Sequence, residues 1–210
     1  MRPMSMLSEF KTLHPNLFAY QKAEEINPHD YLLAKTLLRL LPVSVTPNKV
    51  TLFRIIFTPA VFFLVLYDYY LVGIISFLLL AFSDAVDGSL ARTSDRITDF
   101  GKIFDPLADK FLIGSMVLVL VFQNYPFWLG FAVLGIEIII ILATIKKKYK
   151  FKTIRGANIW GKIKMHLQVI AVFLTLAGLL WQFPSFFTIA AGLFGLSLGF
   201  AIASLFTRGL

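Results

Sequence analysis

The sequence predicts an all-α integral membrane protein, six transmembrane helices preceded by an amphipathic helix on the membrane interface. Three observations carry that reading. Of the 210 residues, 58% are hydrophobic and only 15% charged, with a mean hydropathy of +0.77, too apolar for an ordinary soluble domain. The apolar residues gather into six runs, each long enough to cross the ~30 Å hydrocarbon layer at about 1.5 Å per residue. The lysines and arginines that separate the runs fall in alternate connections, and six crossings satisfy all of them.

Residues 1–46 read as a polar cytoplasmic segment and 47–210 as the six-helix domain. No apolar core stands directly behind the basic start, so the segment lacks the pattern of a cleavable signal peptide. Asn27, Pro28 and Asp30 resemble an N-cap with proline at the first helical position, which predicts a helix over 28–41 stopped by Pro42. Leu33, Leu37, Leu40 and Leu41 form its apolar stripe, with Lys35 and Arg39 on another face. Such a helix suits a membrane surface, although docking on a soluble partner would give the same pattern.

The six runs lie near 49–68, 71–92, 99–123, 126–146, 159–181 and 184–206. Arg92, Arg96 and Lys102 separate the second from the third. Lys146, Lys147, Lys148, Lys150, Lys152 and Arg155 separate the fourth from the fifth, and Arg208 follows the sixth. The connections at Asp68 and Tyr69, at Asn124 and Tyr125, and at Gln182 to Pro184 carry no basic residue. Positive-inside bias therefore puts both termini in the cytoplasm. The net charge of +8 sits in these short loops, which points to topology and anionic lipid headgroups rather than to nucleic acid.

Asp84 and Asp87 are three residues apart and Asp105 and Asp109 four apart, so each pair shares one helix face. The second helix enters from outside and reaches Asp84 after roughly 20 Å of rise, while the third starts inside and meets Asp105 early. All four carboxylates thus come to a similar depth near the cytoplasmic headgroups. An ionised carboxylate within a spanning helix costs roughly 2.5–3.5 kcal/mol at mid-bilayer. Four together need a strong compensating charge, and one or two divalent cations would supply it. Cysteine is absent and no histidine lies among the aspartates, so hard oxygen ligands favour Mg²⁺ or Mn²⁺. Gly88, Ala91 and Gly101 put small side chains beside the carboxylates, leaving room for a ligand.

Residues 84–109 read DAVDGSLARTSDRITDFGKIFDPLAD, which fits DxxDGxxARx8Gx3Dx3D at every fixed position. This resembles the signature of the CDP-alcohol phosphotransferase (CDP-alcohol phosphatidyltransferase) family. The likeness extends to Pro47, Asn48, Thr51 and Arg54 and to the six-helix layout, over about 45–210. The resemblance implies an enzyme of phospholipid biosynthesis in which an alcohol attacks the lipid-side phosphate of CDP-diacylglycerol and releases CMP. It implies that Asp84, Asp87, Asp105 and Asp109 hold two divalent ions, with Asp109 also the base on the acceptor hydroxyl. By the same likeness Gly88, Ala91 and Gly101 line the nucleotide pocket, Asn48, Thr51 and Arg92 contact the nucleotide or its phosphates, and the protein is a homodimer.

Duller readings exist for single residues. Asp105 before Pro106 resembles an N-cap, Gly88 and Ala91 suit close helix packing, and Arg92 suits an inside marker. Their joint occurrence in the motif is what overrides these readings. Arg54 shares a helical face with Asn48 and Thr51, so it either faces the cavity or snorkels to the surface, and the cavity is favoured. Ala191, Gly195 and Gly199 offer a close-packing face on the sixth helix.

The runs KIFDPLADK (102–110) and NIWGKIKMHLQ (158–168) are similar to bacterial phosphatidylglycerophosphate synthases within the family, which implies glycerol 3-phosphate as acceptor. Lys102, Arg155, Lys162 and Lys164 are the cations available to its phosphate, and each also serves as positive-inside charge. One departure is Ile136, where those synthases carry an arginine before the glutamate. Inositol phosphate, inositol and serine therefore stay open as acceptors. Glu137, halfway along its span, is expected to face the bundle interior and either pair with a basic residue or be protonated. A cation channel or transporter would spread its acidic residues along a path through the membrane, whereas these stop at one side.

Overall fold

In the computed structural model, which describes residues 46–93, 99–151 and 159–207, each apolar run of the sequence is a helix. Helix α1 (Pro47–Leu66) starts behind an extended Thr46, with proline at its first position where a missing N–H costs nothing. Pro59 in its interior leaves the carbonyl one turn back without a donor, and the Thr58 hydroxyl donates to the Arg54 carbonyl at 2.8 Å, a side-chain bond of the kind that bends helices. A tight turn with Asp68 at φ 66° leads into α2 (Tyr70–Thr93). An added Cβ at Gly73 would lie 2.9 Å from Val65 Cγ2, so only glycine lets α2 close on α1 at this depth.

Helix α3 (Asp99–Met116) continues through a π-helical segment, Val117–Val121, and a last turn, Phe122–Asn124. After Tyr125 and Pro126 comes α4 (Phe127–Phe151), then α5 (Ile159–Trp181) and α6 (Pro184–Thr207). Gln182 turns the chain between the last two with φ 55°. The Tyr125 hydroxyl meets Thr175 Oγ1 at 2.8 Å, tying the α3–α4 turn to α5. Helix α1 packs on α2 and α3, α5 on α6 and α2, and α4 on α6. Phe77, Leu112, Met116, Leu120, Val133, Leu176 and Phe194 lie in their shared core.

The surface is inverted relative to a soluble protein. Leu79, Phe131, Ile138, Leu142 and Ile202 point outward, while Thr51, Arg54, Glu137, Lys164 and Gln168 are buried. Five helical stretches are long and apolar enough to cross a membrane: Pro47–Leu66, Tyr70–Leu90, Leu107–Asn124, Ile159–Trp181 and Pro184–Phe206. A shorter apolar stretch, Phe127–Ala143, fills the fourth place in the series. No strand occurs among the described residues. The helix expected over 28–41 lies outside them.

Candidate active site

Three helices build the site. Thr51 and Arg54 stand three residues apart on α1, one turn and two turns inside its start, and both are fully buried. Thr51 Oγ1 donates to Asp105 Oδ1 of α3 at 2.6 Å. Arg54 Nη1 donates to Asp84 Oδ1 of α2 at 3.0 Å and also to Asp109 Oδ1 of α3, forming an ion pair with each. Its Nε reaches Ser83 Oγ at 3.3 Å, and that hydroxyl in turn donates to the Leu80 carbonyl at 2.7 Å.

This arrangement follows from the sequence spacing. The four-residue step from Asp105 to Asp109 puts both on the α3 face toward α1, where Thr51 and Arg54, three residues apart, also share one face. Asp105 is also close enough to the Asp84 carboxylate and the Arg54 guanidinium to interact electrostatically with both. The Asp84 and Asp109 side chains keep 32% and 17% of their surface exposed, so an accessible edge of carboxylate oxygens lies over a buried cation. That geometry can accept a second positive group from the open side. Asp105 lies in the second turn of α3, inside the helix, which disposes of the N-cap reading of Asp105 and Pro106.

The structure thus brings together Asp84, Asp105, Asp109 and Thr51 of the residues expected from sequence. Asn48 is half-buried one turn before Thr51, and Gly88 is half-buried one turn beyond Asp84. Asp87, Ala91, Arg92, Gly101 and Lys102 stand on α2 and α3, but their side chains lie outside the described set, and Arg155 lies outside the described residues altogether. Among the described residues no three carboxylates are already clustered as an ion-holding group. The oxygens of Asp84 and Asp109 nevertheless converge on one nitrogen, as the donors of a hard-cation site must.

Of the cations read as acceptor groups, Lys162 is exposed near the start of α5, whereas Lys164 is buried. Lys164 Nζ donates to Glu137 Oε1, and Gln168 Nε2 donates to the same oxygen at 3.1 Å. Of the two expectations for Glu137, the paired one is found. Its Oε2 is buried without a partner among the described residues. The charge-bearing role of Arg54 was the main feature that spacing alone left unread. The usable signal was a permanent cation sharing a helix face with Thr51 in an apolar helix, which must find carboxylates to be buried at all.

Carboxylates from two helices are gathered on a third within an apolar, membrane-protein-like bundle, and the chain carries the complete motif over residues 84–109. The chain belongs to the CDP-alcohol phosphatidyltransferase family, whose model matches residues 44–203. It is similar to CDP-diacylglycerol–glycerol-3-phosphate 3-phosphatidyltransferases. That of Bacillus subtilis (strain 168) is 35% identical, over 60% of this chain and 73% of the relative. Those of Salmonella choleraesuis (strain SC-B67) and Haemophilus influenzae are 36% and 29% identical, covering 70% and 69% of this chain and 82% and 80% of the relatives.

Proposed function

We propose that this protein transfers the phosphatidyl group of CDP-diacylglycerol to glycerol 3-phosphate, releasing CMP in phospholipid biosynthesis. The observation that carries the reaction is the convergence of Asp84, Asp105 and Asp109 on Thr51 and Arg54, with the whole motif around them. The acceptor rests on the names of the similar enzymes and on the runs at 102–110 and 158–168.

Asp84, Asp87, Asp105 and Asp109 would hold two Mg²⁺ or Mn²⁺ ions, which their all-oxygen chemistry suits. When bound, the ions supply charge neutralisation for the pyrophosphate and for the departing CMP. Asp109 takes the proton of the acceptor's primary hydroxyl as that oxygen forms its bond to the lipid-side phosphorus, and the bond from that phosphorus to the bridging oxygen of CMP breaks. No covalent intermediate on the protein is needed. Asn48, Thr51, Gly88, Ala91, Arg92 and Gly101 bind the nucleotide end, the small residues giving it room. Lys102, Arg155 and Lys162 would supply positive charge to the acceptor's phosphate, whereas Lys164, expected there from sequence, is committed to Glu137.

In this reading residues 47–210 form the catalytic domain, with six crossings that include Phe127–Ala143, and 1–46 a cytoplasmic segment with its interfacial helix. Both termini and the active site face the cytoplasm, and two copies form a homodimer. The test is purified protein with CDP-diacylglycerol, a divalent metal and a panel of acceptors. Glycerol 3-phosphate should give CMP and phosphatidylglycerophosphate in equal amounts. Product only with inositol phosphate, inositol or serine would reassign the acceptor, and ion uptake without CMP would favour a transporter.

A further inference from the structure

Arg54 is set apart from the other buried polar groups by having a charge it cannot shed. Guanidinium stays protonated at any accessible pH, so burial in an apolar helix demands counter-charges at fixed positions. Among the described residues, those bonded to it are Asp84 and Asp109, both through their Oδ1 atoms and both on one nitrogen, Nη1. These are two of the carboxylates assigned above to the divalent ions, and an oxygen that accepts a charge-assisted N–H bond has less lone-pair density to give a metal. A fixed positive charge in contact with the ligands also repels an incoming cation.

We infer that Arg54 is a resident counter-ion that competes with the divalent cations for Asp84 and Asp109, holding the carboxylates together at low metal and setting the metal concentration at which the site fills. Ser83 gives the guanidinium a neutral contact that does not use a carboxylate, since its Oγ lies 3.3 Å from Nε. Arg54 is then a positioning residue that tunes the metal site through its bonds to Asp84 and Asp109. This inference rests on the proposed reading of the aspartates as metal ligands.

The test needs no turnover. Full-length protein in detergent, without substrates, is titrated with Mn²⁺ while electron paramagnetic resonance counts the free ion, for wild type, Arg54→Gln and Arg54→Lys. Arg54→Gln should bind Mn²⁺ about tenfold more tightly or better, because a nearby positive charge is gone. Arg54→Lys, which keeps the charge, should stay close to wild type. Thermal melts of the same samples should show Arg54→Gln less stable than wild type without metal and restored by Mn²⁺. A role in packing alone would lower stability equally with and without the ion.

Unchanged or weaker Mn²⁺ binding by Arg54→Gln would overturn the inference. If that variant folds only with Mn²⁺ present, the ion is replacing the guanidinium, as inferred. If it folds in neither condition, Arg54 is structural and the inference fails. A wild type that takes up no Mn²⁺ would remove the proposed metal site as well. A wild type that binds, with a variant that binds no better, would leave that site standing and discard the competition alone.

Discussion

Asp109 combines two demands, since it neutralises a buried guanidinium and is the group assigned to the acceptor's proton. Asparagine keeps its shape and an oxygen for the Arg54 bond but cannot accept a proton at neutral pH. Asp109→Asn should therefore lower kcat by about 10²–10⁴-fold, the usual contribution of a general base. CDP-lipid affinity, followed by isothermal titration, should stay within a few-fold. Substantial remaining turnover would remove Asp109 from the base role. The second buried pair, Glu137 with Lys164, sits outside the motif and is read best through stability. Glu137→Gln leaves an ammonium with no counter-charge in a closed setting and should cost about 3–5 kcal/mol, seen as a lower melting temperature in detergent. Adding Lys164→Met should recover most of that loss, because the penalty is the stranded charge rather than the absent bond.

At the level of elements, the expected run 184–206 differs by one residue at its end from α6, Pro184–Thr207, and 159–181 is α5 itself. Both were legible because Pro184 punctuates the start and a short turn leaves no other place for the reversal. Expected 49–68 became Pro47–Leu66, since proline is favoured at the first helical position and the Asp68 turn takes the last positions. The π-helical segment Val117–Val121 left no mark in the sequence. It lies within an unbroken apolar run and is almost wholly buried, so tertiary packing rather than local chemistry decides it. The glycines divide the same way. Gly195 and Gly199 read as a packing face, yet a Cβ added to either meets nothing within 4 Å, whereas Gly73 stands against the side chain of Val65. Gly73→Leu should cost about 1–3 kcal/mol by overpacking the α1–α2 hairpin. Gly195→Ala should leave the melting temperature of the isolated chain unchanged or slightly raised, since alanine favours the helix and its Cβ meets nothing, and equal losses in both would show that the α6 face is packed after all.

For the molecule as a whole, burying charge while exposing leucine, isoleucine and phenylalanine makes sense only with lipid outside, where the interior is the one place a charge can find a partner. That logic explains why the carboxylate motif was readable from sequence. A spanning helix tolerates an aspartate only where another element answers it, so four of them in order already implied a shared site. What spacing could not supply was which cation of the chain would answer. Orientation in the membrane rests on loop charge, and the absence of cysteine makes it directly testable by single substitutions in an otherwise unreactive chain. Asp68→Cys, in the α1–α2 turn, should react with a membrane-impermeant maleimide on intact cells, and Gln182→Cys, in the α5–α6 turn, should do the same. Lys148→Cys, in the basic run that follows Phe127–Ala143, should react only after permeabilisation. That third position also decides the sixth crossing, because a fourth helix that stayed on the outer side would expose Lys148 to the reagent together with Asp68. A full reversal of all three signals would put the aspartates at the outer face, away from the cytoplasmic pool of CDP-lipid and phosphorylated alcohol, and the proposed reaction would lose its substrates.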